Sequence, residues 1–213
     1  MINKKEIEIL EKELNLNLDS KTIEKLNQWR EIFVQYNEHT NLMSKNDVNF
    51  LFEKHVFDSL AISKWEKYKE NKSLLDVGCG GGFPSVILAV VNPEIKVIAN
   101  DSRIKKINFI KEIKDKLELK NLEICHSRIE DIEPLNVDLI VSRAVGKMID
   151  VWELSKKHLK KEGYFVIYKA KLLEEEIKNF KTKYKKADFE IIKYNLPLDE
   201  TFERNLIILK NCL

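Results

Sequence analysis

The sequence predicts an α/β fold: a mostly parallel seven-stranded sheet with an antiparallel last strand, preceded by an N-terminal helical extension. Three observations carry this reading. From Lys72 onward, short apolar runs alternate with stretches of helical spacing, the pattern of a parallel sheet covered by helices on both faces. Four of the six glycines stand together in Asp76-Val77-Gly78-Cys79-Gly80-Gly81-Gly82-Phe83-Pro84, between an apolar run and a helix-like segment. The last two apolar runs are joined only by turn-forming residues, Asn195-Leu196-Pro197-Leu198-Asp199, and so form an antiparallel pair.

Taken in order, residues 1–70 read as helices that pack on the core. Ile7, Leu10 and Leu14 step by three and four, and after a cap at Asp19-Ser20 so do Ile23, Leu26, Trp29, Phe33 and Tyr36. A polar break is expected at Glu38-His39-Thr40-Asn41, and a new cap at Asn46-Asp47. The helix after it carries His55, Asp58 and Ser59 on one face. Three such residues crowded on one helix are poorly placed for a nucleophile, base and orienter; a polar seam or a substrate-side lining fits better. The α/β domain spans 71–213. Its strands are expected at Ser73–Val77, Lys96–Asn100, Leu122–Cys125, Val137–Val141, Tyr164–Tyr168, Phe189–Tyr194 and Arg204–Leu209. Helices are expected at Pro84–Val91, Ile104–Leu117, Met148–Leu159 and Leu172–Tyr184, with Pro93 stopping the first and Gly163 the third.

At 213 residues and 44% hydrophobic, the chain has enough apolar content for one α/β domain with an appendage. A net charge of +2, with 34% charged residues, neither demands nor excludes a nucleic-acid partner. Cys79, Cys125 and Cys212 lack metal-ligand spacing, so no metal is expected, and they suit a reducing compartment. The polar start does not resemble a signal peptide, and no apolar run is long enough to span a membrane. A soluble, cytoplasmic, monomeric protein is expected.

The glycine stretch is the chemical centre. Glycines between a strand and a helix let the backbone approach a ligand, and the helix start offers N–H groups. The dinucleotide pattern G-x-G-x-x-G fails here, because Phe83 or Ser85 occupies the third glycine place. That leaves a dehydrogenase a distant reading. The pattern present is acid-x-Gly-x-Gly-x-Gly, which resembles the first motif of class I S-adenosylmethionine-dependent methyltransferases, a Rossmann-like fold. S-adenosyl-L-methionine is therefore the expected cofactor, held by Gly78, Gly80 and Gly82, with Asp76 answering its charged end directly or through water.

Asp101 ends the second strand, where an acid holds ribose hydroxyls in this topology; capping the helix that starts near Arg103 is its alternative role. Ser127-Arg128-Ile129-Glu130 follows the third strand, where Ile129 can pack on adenine while Glu130 or its backbone accepts from the exocyclic amine. The fourth strand ends in Ser142-Arg143-Ala144. Arginine stays protonated and cannot be a base, so Arg143 suits a reaction that needs positioning. Guanine N7, whose lone pair is already free, is one such acceptor. Bidentate donation to guanine, stacking and phosphate contact are all open to it.

Several segments together resemble the bacterial 16S ribosomal RNA 7-methylguanosine methyltransferases (glucose-inhibited division protein B family). They are Asn41-Leu42, His55 with Asp58-Ser59-Leu60, the stretch from Asp76 to Pro84, Asp101 to Lys106, Ser127 to Glu130, and Ser142 to Ala144. The resemblance implies cofactor contacts at Gly78, Phe83, Ile129, Glu130 and Arg143, with Arg143 also beside the target guanine as the catalytic residue. It implies methyl transfer to N7 of one guanine in small-subunit ribosomal RNA, free or within the subunit. Ser85 and Ala170 depart from glycines usual in the family. Arg103, Arg128, Lys105, Lys106 and His55 are RNA-binding candidates, and lysine clusters at 156–161 and 181–186 are weaker ones. A small-molecule methyltransferase, with residues 1–70 as a lid, and a non-catalytic cofactor-binding assembly factor are the competing readings.

Overall fold

A computed structural model of the chain describes residues 2–40, 42–171, 174–197 and 203–211. Two helices open it, α1 (Lys4–Leu14) and α2 (Ser20–Thr40). Asn3 and Glu6 form a reciprocal capping box at α1. Asp19 accepts the Thr22 N–H at 2.7 Å at the start of α2. Helix α2 continues through Glu38, His39 and Thr40, where a break was expected, and the Thr40 hydroxyl bonds back to the Tyr36 carbonyl. Asn41, at the end of that expected break, lies outside the described residues. The short α3 (Lys45–Val48) is capped by Ser44, whose hydroxyl accepts the Asp47 N–H. The expected cap Asn46-Asp47 instead lies within the turn. Next, a π-helical turn at Phe52–Phe57 runs into α4 (Asp58–Leu60) and then into 3₁₀ turns, rather than one regular helix.

The α/β part follows as β1 (Ser73–Val77), α5 (Ser85–Val91), β2 (Lys96–Asn100), α6 (Ile104–Lys116), β3 (Leu122–Cys125) and β4 (Val137–Arg143). It ends with α7 (Met148–Ser155), β5 (Leu159–Lys169), α8 (Glu174–Lys183), β6 (Phe189–Asn195) and β7 (Glu203–Lys210). The sheet order is β3-β2-β1-β4-β5-β7-β6, and β7 runs antiparallel to both neighbours. Strand order reverses between β1 and β4, so their carboxyl ends border a crevice, the usual ligand position in open α/β sheets.

Side chains alternate between two cores, as a pleated strand buried on both faces requires. Leu74, Val97, Leu139 and Val166 face the core shared with α1, α2, α5 and α6. Leu75, Ile98, Ile140 and Phe165 face the one shared with α7 and α8. The N-terminal helices therefore complete one face of the sheet. Phe33 of α2 lies 5.4 Å from the Phe83 ring and 5.5 Å from Phe109 of α6.

One boundary is corrected. Helix α7 ends at Ser155, a 3₁₀ turn covers Lys156–His158, and β5 begins at Leu159. Gly163 thus stops no helix. It lies inside β5 beside a register shift, where a Cβ would come within 2.8 Å of the Asp138 carbonyl. The expected cluster of Lys156, Lys157, Lys160 and Lys161 is consequently split between a turn and a strand. Leu172, the expected start of α8, Leu198 and Asp199 of the last turn, and Cys212 lie outside the described residues.

Phe33 is fully buried between α2, α6 and the glycine loop. Phe33→Ala is expected to cost about 3–5 kcal/mol of unfolding free energy, measured by urea titration.

Candidate active site

The glycine loop is fastened at both ends. The N–H groups of Gly78 and Cys79 both donate to the Asn100 carbonyl at 2.9 Å, tying the loop to β2. Gly78 and Gly82 hold φ of 73° and 88°, and a Cβ on Gly82 would meet Val86 at 2.5 Å and Ile110 at 2.9 Å. Only glycine fits there. At the far end the Ser85 N–H donates to Asp76 Oδ2 at 3.0 Å, and the Val86 N–H to the Gly82 carbonyl. These N–H groups at the start of α5, expected to face a ligand, are therefore spent inside the loop. Ser85, the departure from the family glycine, serves as this tie through its backbone.

Asp76 is fully buried, and burial pushes its carboxyl up to about 7, opposed by Ser85. Its Oδ1 has no protein partner. Asp101, just past β2 and 3% exposed, is saturated. Its Oδ2 accepts from Gly80 N–H and Arg103 Nη2, and its Oδ1 from Arg103 N–H and Nε, all at 2.7–3.0 Å. Burial would raise this carboxyl, but the Arg103 contacts hold it below the usual value. Arg103, not Asp101, is the N-cap residue of α6, but Asp101 Oδ1 accepts the Arg103 N–H and so also anchors the start of that helix.

Asn100 Nδ2 donates to the carbonyls of Cys125 and Ser127, which fixes the loop after β3. In that loop Ile129 is buried in the second core, and its carbonyl faces His158 Nε2 at 3.0 Å. The Glu130 carbonyl accepts from Lys157 Nζ. Exposed Arg128 stands 3.9 Å from the Glu130 carboxylate.

Arg143 is held from several sides. It ends β4, paired with Tyr168 of β5. Its Nη1 donates to Asp58 Oδ2 at 2.9 Å and to the Lys54 carbonyl at 3.1 Å. Its Nη2 lies 2.9 Å from His55 Nδ1, and its guanidinium sits 5.1 Å over the Phe83 ring. Tyr194 of β6 donates to the other Asp58 oxygen at 2.6 Å. Where the π-helical turn ends, the Asp58 N–H makes a 3₁₀-type bond to the His55 carbonyl instead of to its α-helical partner, the Lys54 carbonyl that accepts from Arg143. Burial and the Arg143 charge push His55 down to about 3. It is therefore neutral, and as an RNA-binding candidate it offers no cation. Ser59 is buried, and its carbonyl accepts from the Tyr168 hydroxyl.

Two cavities meet at Arg143. One of about 270 Å³ lies over the loop and is lined by Gly78, Gly80, Phe83, Arg103 and Lys106. The other, of about 460 Å³, lies beyond the β4 and β5 ends and is lined by Lys54, Asp58, Tyr168, Lys169 and Arg204. Asp47, His55, Arg143, Ala144 and Val145 line both. Asp76, Gly82, Asp101, Ile129 and Glu130 are not among the residues lining either. Tyr194, Lys54, Arg204 and Asp47 were missed by sequence reasoning, since no local motif joins positions so distant along the chain. Of the basic candidates, Lys105 is exposed, while Lys106 donates to the Leu42 carbonyl. Lys156 and Lys183 share Glu153, and Lys160 pairs with Asp138, so three lysines of these weaker clusters are tied to carboxylates.

The loop spends most of its backbone N–H groups within the fold, so it lacks the ring of free donors that a diphosphate needs. Two carboxylates, Asp76 and Asp101, flank the loop, and Asp76 keeps a free oxygen. The sheet order, loop and carboxylates define a class I S-adenosylmethionine-dependent methyltransferase. In fold the chain is similar to precorrin-6y C5,15-methyltransferase of Geobacter metallireducens, with a TM-score of 0.52 and 16% identity over 65% of this chain and 79% of that one. It is likewise similar to an O-methyltransferase of Thermotoga maritima, with a TM-score of 0.51 and 17% identity over 67% of this chain and 60% of that one. Residues 22–207 match the family model of rRNA small subunit methyltransferase G (GidB), and the chain belongs to that family. Ribosomal RNA small subunit methyltransferase G of Lachnoclostridium phytofermentans is 32% identical over 92% of this chain and 84% of its own length. The Bacillus licheniformis protein of the same name is 34% identical over the same shares.

Tyr194→Phe removes a buried bond to a charged carboxylate and is expected to cost about 1.5–3 kcal/mol in urea unfolding, with the fold retained. Asp76 carries a raised carboxyl in the folded state, so its contribution favours folding at low pH and is lost as pH rises toward about 7. Asp76→Asn is therefore expected to gain stability relative to the parent between about pH 4 and 7, measured by thermal melts across that range.

Proposed function

We propose that this chain transfers the methyl group of S-adenosyl-L-methionine to N7 of one guanine in small-subunit ribosomal RNA. The observation that carries this reading is the wall shared by the two cavities, in which Arg143 is fixed and the carboxylate present, Asp47, is held below its usual range by Ser44 and Lys54 and so is a poor base. Arg143 stays protonated, His55 titrates near 3, and Asp58 has both oxygens occupied. An acceptor whose lone pair is already free suits such a wall. Membership of the family, and the name its relatives carry, support small-subunit RNA as the substrate.

In this reading the cofactor enters through the smaller cavity and reaches past its present lining to Asp76, Asp101 and the loop after β3. Gly78, Gly80 and Gly82 let the loop approach it, Phe83 forms its rim, and Asp101 takes the ribose hydroxyls. Ile129 and the backbone at Glu130 meet the adenine, and Asp76 Oδ1 answers the charged end. The cofactor supplies an electrophilic methyl on a positively charged sulfur. Arg143 orients the guanine from the larger cavity through O6 or a neighbouring phosphate. Guanine N7 then attacks the methyl carbon in line, the N–C bond forming as the C–S bond breaks. No proton has to leave, so orientation supplies most of the acceleration. The extension of residues 1–70 contributes the π-helical turn that fixes Arg143. The protein works as a monomer in the cytoplasm, on free RNA or on the subunit.

Arg143→Ala is expected to lower single-turnover methyl transfer to undermethylated small-subunit RNA by about a hundredfold or more while retaining the fold by circular dichroism. The product is identified as N7-methylguanosine by mass spectrometry of nuclease digests. Full-rate transfer by this variant, or transfer by the parent chain to small metabolites in place of RNA, would contradict the reading.

A further inference from the structure

The Asp101 carboxylate has no capacity left for a ligand. An ionised carboxylate offers about four lone-pair sites, and four donors occupy them. Gly80 N–H takes one on Oδ2, and Arg103 N–H takes one on Oδ1. The Arg103 guanidinium fills the remaining two through Nε at 2.9 Å and Nη2 at 2.7 Å, a fork on both oxygens. Two ribose hydroxyls would need those same two sites. The backbone donors are fixed by the glycine loop and the start of α6. The guanidinium is the movable partner: its side chain is 63% exposed and lies at the mouth of the smaller cavity.

Displacement leaves a full positive charge at the rim. Asp101 is the one carboxylate that bonds to Arg103 among the described residues. The neighbours on the same turn are Lys105, exposed, and Lys106, which lines the same cavity. A guanidinium released there needs an anion from outside the chain, and on an enzyme acting on RNA that anion is a phosphate. Building on the cofactor placement above, we propose that Arg103 is an RNA-phosphate contact delivered by cofactor binding. The ribose takes Asp101, and the freed guanidinium, beside Lys105 and Lys106, takes the RNA backbone. Until the cofactor arrives, Arg103 screens the ribose site and is itself withheld from RNA. By linkage, each ligand then tightens the binding of the other.

The test is a binding cycle on the full chain, with S-adenosylhomocysteine and a small-subunit RNA transcript as probes. The parent protein is expected to bind RNA about fivefold tighter or more when S-adenosylhomocysteine is present. Arg103→Ala is expected to bind S-adenosylhomocysteine about fivefold tighter in the absence of RNA. Its RNA affinity should no longer respond to that ligand, and its salt slope should fall by about 0.7–0.9. Arg103→Lys keeps the charge without the fork, so it should bind S-adenosylhomocysteine tighter while keeping most of its RNA affinity. If Arg103→Ala binds S-adenosylhomocysteine no tighter, or its RNA affinity still rises with that ligand as in the parent, the proposal is overturned. Asp101→Asn separates this from failure of the cofactor placement. Should it leave S-adenosylhomocysteine affinity unchanged, the ribose placement and the proposal fall together. Should it weaken binding while Arg103→Ala does not strengthen it, only the proposal falls.

Discussion

The buried ion pair between Arg143 and Asp58 is the constraint on which the site depends. It joins the last residue of β4 to the helical extension, and it stands where the two cavities meet. Removing one partner of such a pair typically costs about 3–5 kcal/mol, because the other charge is left buried and unmatched. Here the pair is further committed by Tyr194 on the carboxylate and by the Lys54 carbonyl on the guanidinium. Three residues of the extension, Lys54, His55 and Asp58, thus converge on one guanidinium, while Tyr194 of β6 holds Asp58 in place. The energetic return is geometric: a cation that cannot swing away can orient an acceptor without reorganisation.

The glycine loop shows the complementary economy. Its backbone donors are largely turned inward, to Asn100, Cys79, Gly82 and Asp76, which gives the loop one shape. Two carboxylates flank it instead of a ring of free N–H groups. A loop without that ring lacks the donors a diphosphate needs. Phe83 links the two halves, since its ring packs on Phe33 and Trp29 of the extension and also underlies the Arg143 guanidinium.

Much of this was legible in the sequence, for definite reasons. Strands β1 and β2 fall where the apolar runs put them, because central parallel strands are buried on both faces and read as continuous hydrophobic segments; β3 does so too, although it is the sheet edge. The four clustered glycines and the acids Asp76 and Asp101 were visible for the same local reason. Other features depend on contacts that spacing does not encode. Gly163 looks like a helix stop, yet it is required by a carbonyl on a neighbouring strand. His55 and Asp58 read as one polar helix face; that a π-helical turn carries them onto Arg143 has no periodic signal. Asp101 and Arg103 stand two positions apart in plain view, but only coordinates show the fork that closes the carboxylate. Tyr194 reaches Asp58 from β6 and leaves no trace in any local pattern.

The central claim is that the helical extension acts on the reaction by holding Arg143. A double-mutant cycle with Asp58→Asn and Arg143→Lys, read by single-turnover methyl transfer to small-subunit RNA at saturating cofactor, tests it most directly. If Asp58 acts through Arg143, the double variant will be no slower than Arg143→Lys alone. Multiplicative losses, with the two substitutions acting independently, would contradict the account.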